Sequence, residues 1–190
     1  MAEFYEMQIA GCTRKLRKCP IHENLQIGAF IMFSDVEITV KSAAELLEKA
    51  PEFDVLLTAE CKGIPLAYEM ARQSGKNYIV ARKSVKLYMQ DVVSVNVKSI
   101  TTEAQQVLYL DGEKAELLRN QRVLIIDDVI STGESLRALE YLVQKAGGIV
   151  AGKAAVLAEG DAADRKDLIY LEKLPLFFGE TEQTTEKTVT

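Results

Sequence analysis

The sequence predicts an α/β protein: a central, mostly parallel sheet with helices on both faces. Short, continuously apolar runs recur along the chain, at Asp54-Val55-Leu56-Leu57-Thr58-Ala59, Tyr78-Ile79-Val80-Ala81, Val123-Leu124-Ile125-Ile126 and residues 149–157. Strands buried on both faces of a parallel sheet read this way. Segments of helical apolar spacing separate these runs, and glycines mark the joins at Gly75 and Gly147-Gly148.

Each element follows from local pattern. In residues 1–35, Tyr5, Met7 and Ile9 alternate, Gly11 breaks the run, and Ile27 to Phe33 resumes it. These predict short strands forming an N-terminal flap or hood beside the main sheet. Residues 36–179 are expected to form the core. Ser42-Ala43-Ala44-Glu45 has the spacing of a capping box and predicts a helix running to about Ala50. After the strand ending at Ala59 comes the turn Glu60-Cys61-Lys62-Gly63, then a helix over residues 64–74 stopped by Gly75. Beyond the strand at residues 78–81, the chain from Ser84 to Gln106 is long and rich in Ser, Thr, Gln and Val. It reads as a hairpin at the sheet edge or as a lid over a reaction site, and the lid is preferred. Leu136, Leu139, Tyr141, Leu142 and Val143 give a helical stripe before the last strand. The polar end, residues 180–190, lacks periodicity and reads as a disordered tail.

Composition narrows the function. The 190 residues include 28 acidic and 23 basic side chains, for a net charge of −5. That balance gives no general footprint for nucleic acid. Arg14-Lys15-Leu16-Arg17-Lys18 is the one basic cluster and reads as a solvated face. No apolar run approaches the ~20 residues a membrane span needs, and the acidic start Met1 to Glu6 is unlike a signal peptide. The expected compartment is the cytosol. Cys12, Cys19 and Cys61 are an odd count at no framework spacing and read as reduced thiols. Cys12, Cys19 and His22 lack the spacing and fourth ligand of a structural zinc site.

The most informative segment is Val123 to Ser135. A buried strand ends in Asp127-Asp128, and a turn of small and hydroxylated residues, Ser131-Thr132-Gly133, opens onto a helix beginning at Glu134-Ser135. Exposed N–H groups and the helix dipole favour a phosphate there, with Ser131, Thr132 and Ser135 as further donors. Carboxylates beside an anion cradle make sense when the ligand also presents a diol or a divalent cation, as a sugar 5-phosphate does. Neither G-x-x-x-x-G-K-[ST] nor G-x-G-x-x-G occurs.

This segment resembles the PRPP-binding signature of type I phosphoribosyltransferases, a hydrophobic strand leading into Asp-Asp-x-x-[Ser/Ala]-Thr-Gly-x-[Ser/Thr]. Glu60-Cys61-Lys62-Gly63 resembles the family's pyrophosphate loop, and Arg82-Lys83-Ser84-Val85-Lys86-Leu87 resembles a stretch of its adenine-type purine branch. The resemblance spans roughly residues 25–170. It implies the type I phosphoribosyltransferase fold and PRPP contacts from Asp127, Asp128, Ser131, Thr132, Gly133, Glu134, Ser135, Cys61, Lys62, Arg82, Lys83 and Lys86. Mg2+ would arrive on PRPP beside Asp127 and Asp128. The flap would cover the purine, with Leu25, Phe30, Phe33, Ala158 and Glu159 as base contacts. The family's loop acid falls at Thr101 in a gap-free count, which leaves Glu103 as candidate proton donor.

The expected function is a purine phosphoribosyltransferase of purine salvage, converting a base plus PRPP to nucleoside monophosphate and pyrophosphate, as a homodimer. Adenine is favoured because the 6-oxopurine branches commonly place a lysine where this chain reads Ala158-Glu159-Gly160-Asp161, and Lys153 lies upstream. A 6-oxopurine such as xanthine is the alternative substrate. A PRPP- or nucleotide-sensing regulator of nucleotide-metabolism genes, with the same fold and no catalysis, is the alternative of a different class.

Overall fold

The computed structural model describes residues 2–98 and 105–179. Five parallel strands form the central sheet: β4 (Val55–Ala59), β5 (Asn77–Ala81), β8 (Arg122–Ile130), β9 (Ile149–Glu159) and β10 (Ile169–Leu174). Their spatial order is β10-β9-β8-β4-β5. Side chains alternate across this sheet, and both faces are buried. Val55, Leu57, Val123 and Ile125 pack on the face covered by α4 (Glu134–Lys145), with Leu136, Leu139, Leu142 and Val143. Leu56, Leu124 and Ile126 pack on the opposite face with Ile38 and Leu46 of α1 (Val36–Lys49) and Leu66 and Met70 of α2 (Ile64–Ser74). Continuous apolar strands were the signal for this double burial.

The hood is an antiparallel sheet of β1 (Phe4–Ile9), β2 (Cys12–His22), β3 (Leu25–Ala29) and β11 (Leu176–Phe178), in the order β1-β2-β3-β11. Ala10 and Gly11, both at positive φ, make the tight turn between β1 and β2. The sequence reading confined the hood to residues 1–35, but the chain returns to it at the other end. Tyr5 meets the Phe177 ring edge-on at 5.0 Å, and the Lys18 ammonium lies 4.7 Å from the same ring. Three-residue β11 is too short to show a period of two. A second antiparallel pair, β6 (Val93–Lys98) and β7 (Gln105–Leu110), occupies the stretch read as a lid or hairpin. It joins β5 through paired backbone bonds between Arg82 and Tyr109. Its connecting residues, with Thr101 and Glu103, lie outside the described residues, as does the 180–190 tail. A short helix, α3 (Gly112–Glu116), leads on to β8.

The start of α1 differs from expectation. The helix begins at Val36, and Asp35 is its cap, accepting from the Ile38 N–H at 3.2 Å. Ser42 lies inside the helix, fully buried, with its hydroxyl unpartnered. The reason is tertiary. Arg14 of β2 grips Asp35 through one guanidinium edge, Nε to Oδ2 at 2.6 Å and Nη2 to Oδ1 at 2.9 Å, which fixes the carboxylate where the helix starts. By contrast, α2 spans the predicted residues, with Pro65 in its first turn and Gly75 closing it at φ 69°.

Asp35→Ala removes the cap and the partner of Arg14 together, and should destabilise the fold by about 1–2 kcal/mol. The Arg14 bonds hold the Asp35 carboxyl below its usual range. That contribution is therefore present above about pH 4 and is lost as pH falls through the folded value. Ser42→Ala deletes a buried hydroxyl without a partner and should be neutral or stabilising. Urea unfolding of the two variants checks both, and equal losses would return the capping role to Ser42.

Candidate functional site

The site forms where β4, β5 and β8 end, as ligand sites of open α/β sheets do. β8 runs on through Ile130, so Asp127 and Asp128 lie inside the strand, just before its last residues Val129 and Ile130. The loop after it reaches α4 through Gly133, whose φ of 77° is left-handed and suits glycine. The backbone from Val129 to Leu136 encloses a small concavity together with Asp127, and Ser131, Thr132, Gly133, Glu134 and Ser135 all line it. The sequence-predicted cradle is thus brought together at the start of a twelve-residue helix.

The Glu60–Gly63 loop closes over the acids. Cys61 Sγ donates to Asp127 Oδ1 at 3.2 Å, and the Asp128 N–H donates to the same oxygen at 2.9 Å. A Cβ on Gly63 would stand 3.0 Å from Thr58 Oγ1 and 3.1 Å from Asp127 Oδ1, so a larger residue would push the loop or its neighbours apart by a few tenths of an ångström. Lys62 Nζ lies 3.1 Å from Asp128 Oδ2 and donates to the Phe30 carbonyl at 3.0 Å. The Lys62–Asp128 contact is an ion pair without hydrogen-bond geometry, and Asp128 Oδ2 remains buried with no hydrogen bond. Burial, with the charge of Asp128 next, pushes the Asp127 carboxyl well above the usual carboxylate range. Burial and the Asp127 charge push the Cys61 thiol up to about 12, which keeps it protonated and unreactive.

Glu60 organises the cations of the neighbouring strand end. Its Oε1 lies 3.3 Å from Arg82 Nη2 and 3.7 Å from Lys86 Nζ, and its Oε2 accepts from the Lys83 N–H at 3.0 Å. The Lys83 bond, opposed by desolvation, holds the Glu60 carboxyl below its ordinary value. Arg82 Nε is buried without a partner. The sequence reading assigned Glu60 no role. Its place between cations of two adjacent strand ends was the available signal.

A cavity of about 430 Å3 joins these parts. Cys61, Lys62, Lys83, Asp127, Asp128, Ser131, Ser135 and Glu159 face it from the core, and residues 27–31 face it from the hood. Beside it, a second cavity of about 570 Å3 is lined by Leu25, Ser131, Thr132, Glu159 and Arg165, among others. Glu159 borders both, and burial raises its carboxyl while Lys62 partly offsets the shift.

Three expected base contacts are corrected. Phe30 borders the first cavity, but only 3% of it is exposed, so its ring belongs to the core and its carbonyl serves Lys62. Phe33 is solvent-exposed and lines neither cavity, because the chain turns outward after β3. Ala158 has no exposed surface, since strand alternation turns it into the core. Ile27, Ile31 and Val129 line the first cavity instead, residues that no chemical motif marks. Arg82 and Lys86 reach the site region through Glu60 and do not line the cavity. Lys153 pairs with Glu140 at 2.5 Å and Asp167 at 2.6 Å and lines neither cavity. A further cavity, of about 870 Å3, carries none of the predicted residues; it lies by Asp54, Val55, Asn77 and Tyr78, at the amino ends of β4 and β5.

A carboxyl raised by folding favours its protonated form, so its contribution is full below the unfolded value near 4 and is lost as pH rises through the folded value. Asp127→Asn should therefore be more stable than the wild type at pH 8, by at least about 1 kcal/mol. The gap should close toward pH 4. Melting temperatures of both proteins across that range check this, and a gap independent of pH would refute it.

Comparison with known proteins agrees with this arrangement. The chain is 29% identical over 150 residues to the adenine phosphoribosyltransferase of Chlorobium phaeovibrioides, covering 73% of this chain and 82% of that protein. It is 34% identical over 112 residues to that of Ureaplasma parvum, covering 59% and 62%. The solved adenine phosphoribosyltransferase of Thermoanaerobacter pseudethanolicus superposes with a TM-score of 0.69 at 24% identity, covering 83% of this chain and 95% of that one. The Saccharomyces cerevisiae enzyme, complexed with an imino-altritol bisphosphate and adenine, gives 0.66 at 20% identity, covering 83% and 92%. At those identities the structural likeness establishes the fold. Residues 36–179 match the family described as the phosphoribosyl transferase domain. The chain belongs to that family and has the type I phosphoribosyltransferase fold.

Proposed function

We propose that the protein is a purine phosphoribosyltransferase of purine salvage that transfers the ribosyl 5-phosphate of PRPP to adenine. The observation that carries this reading is the convergence of the Asp127–Ser135 segment and the Glu60–Gly63 loop on one cavity. In the reaction, a purine nitrogen bonds to the anomeric carbon as the bond from that carbon to pyrophosphate breaks, and the base gives up its proton. The loop before α4 takes the 5-phosphate, Asp127 and Asp128 take the ribose hydroxyls, and Lys62 and Lys83 face the leaving pyrophosphate. Fixed charges of this kind act on the developing charge without reorganising, and side-by-side binding supplies orientation. Arg82 and Lys86 stand behind them through Glu60. Glu103 remains the candidate for proton exchange with the base: its carboxylate would take the proton the base gives up, and its acid form would be the proton donor in the reverse direction.

The donor set suits Mg2+ carried on PRPP. Asp128 Oδ2 is a buried carboxylate oxygen without a hydrogen bond, and Asp127 is beside it. Cys61 completes the cluster geometrically, but a protonated thiol is no ligand for a hard cation. When bound, the metal would neutralise pyrophosphate charge. A homodimer in the cytosol is part of the same reading, and among the described residues no helix is long and apolar enough to cross a membrane.

The base fits between residues 27–31 and Glu159. A carboxylate accepts from the 6-amino group of adenine, whereas a 6-oxo group would meet acceptor with acceptor and lose a buried hydrogen bond worth about 1–3 kcal/mol. The matched relatives are named as enzymes, which gives the regulator alternative no support.

Incubating the protein with PRPP, Mg2+ and each of adenine, hypoxanthine, guanine and xanthine, and reading pyrophosphate release, should show adenine preferred. Preference for xanthine or guanine overturns the base and leaves the reaction class. No turnover, together with salt-sensitive nucleic-acid binding, overturns the class. Asp127→Asn and Asp128→Asn should each lower kcat/KM for PRPP, on the order of 100-fold, with the fold intact. Wild-type rates in both variants would remove the acids from the site.

A further inference from the structure

The loop that leads into α4 has a cationic neighbour that no motif marks. Gly133 presents an open side-chain position, and Arg165 fills it: a Cβ there would stand 2.5 Å from Arg165 Nη1. Arg165 follows the 3-10 turn Gly160–Asp164, to which its N–H is bonded through Ala162 at 3.3 Å. One edge of its guanidinium is committed to Asp167, Nε to Oδ1 at 3.0 Å and Nη2 to Oδ2 at 2.9 Å. Asp167 is held in turn by Lys153, and Lys153 by Glu140 of α4. This four-residue chain runs from α4 to the loop after the 3-10 turn and fixes the plane of the guanidinium. The Nη1 edge is left on the side of Gly133.

Arg165 also lines the same cavity as Ser131 and Thr132, so its free edge and the cradle's hydroxyls share one space. A surface ion pair has no reason to place its spare edge over a glycine of left-handed conformation. A phosphate dianion gives one. Its inner oxygens would face the N–H groups and hydroxyls of the loop, leaving an outer oxygen for a donor in the cavity alongside. A planar guanidinium held at one edge is well suited to donate from the other, and such charge-assisted bonds are the strong ones.

We propose that Arg165 is a further binding residue for the ribosyl 5-phosphate, reaching the cradle from the cavity it shares with Ser131 and Thr132. The proposal rests on the phosphoribosyl reading above, and the two can fail separately. The test is calorimetric titration of wild type, Arg165→Gln and Arg165→Lys with two probes, ribose 5-phosphate and inorganic pyrophosphate. Arg165→Gln should bind ribose 5-phosphate on the order of 10- to 100-fold more weakly. Arg165→Lys, which keeps the charge without the fork, should fall between it and wild type. Pyrophosphate, held at the far side by Lys62 and Lys83, should bind all three proteins alike. Undiminished binding of ribose 5-phosphate by Arg165→Gln overturns the proposal alone. An equal loss for both probes also overturns it, since that reports a disturbed fold. A wild-type protein that binds pyrophosphate and fails to bind ribose 5-phosphate overturns the phosphoribosyl reading beneath it.

Discussion

Two carboxylates on consecutive residues of a buried strand repel one another and lose hydration together, and the site is arranged around holding them there. The Glu60–Gly63 loop meets that demand. Cys61 and the Asp128 N–H both donate to one oxygen of Asp127, while Lys62 sets its ammonium against Asp128. The bare Cα of Gly63 lets the loop approach closely enough to do so. This links β4 and β8 at their carboxyl ends, and the same lysine reaches the Phe30 carbonyl just beyond β3. Lys62 therefore ties the sheet to the hood, and the opening between them is the cavity the ligand would use.

The balance of charge around that cavity has a consequence for binding. Every cation the family resemblance assigns to pyrophosphate, except Lys83, is paired with an acid: Lys62 with Asp128, and Arg82 and Lys86 with Glu60. Lys83 contributes its backbone N–H to Glu60 and faces the cavity with its side chain. Such pairs orient the cations ahead of an anion, and they also compete with it. A net charge of −5 adds no long-range attraction for a polyanion. On the proposed reading, recognition of pyrophosphate would come from short-range geometry at the strand ends, and a divalent cation would relieve the carboxylates' repulsion.

What could be read in advance was what is local in sequence. The apolar runs at residues 54–59, 78–81, 123–126 and 149–157 marked four of the five strands of the parallel sheet, β10 going unread, and the segment before Gly75 marked α2. The loop that lines the concavity before α4 could be located in the sequence because its residues are consecutive. Where contacts are distant in sequence, reading failed. Ser42-Ala43-Ala44-Glu45 has the right spacing for a helix start, but Arg14, 21 residues before Asp35, determines where the helix begins. Strand β11 exists because Leu176 to Phe178 pair with Leu25 to Ile27, a partnership no short window contains. Phe30 and Phe33 are aromatic residues near a binding edge, and nothing local tells which way the chain turns after Ala29.

The same distinction separates reaction class from base choice. On the proposed reading, transfer chemistry rests on residues 60–63 and 127–135, two contiguous segments at strand ends of one sheet. On the same reading, base choice rests on residues 27–31 and Glu159, which border one cavity from different sheets, with β3 held between β2 and β11. Glu159 is held near Lys62, whose charge partly opposes the upward shift that burial imposes on its carboxyl. The lysine that faces the pyrophosphate side thus also keeps Glu159 closer to its accepting, ionised form. An acceptor at that position selects for an exocyclic amine through a residue whose charge state depends on the transfer machinery, so the two halves of the site are chemically coupled even though different elements build them.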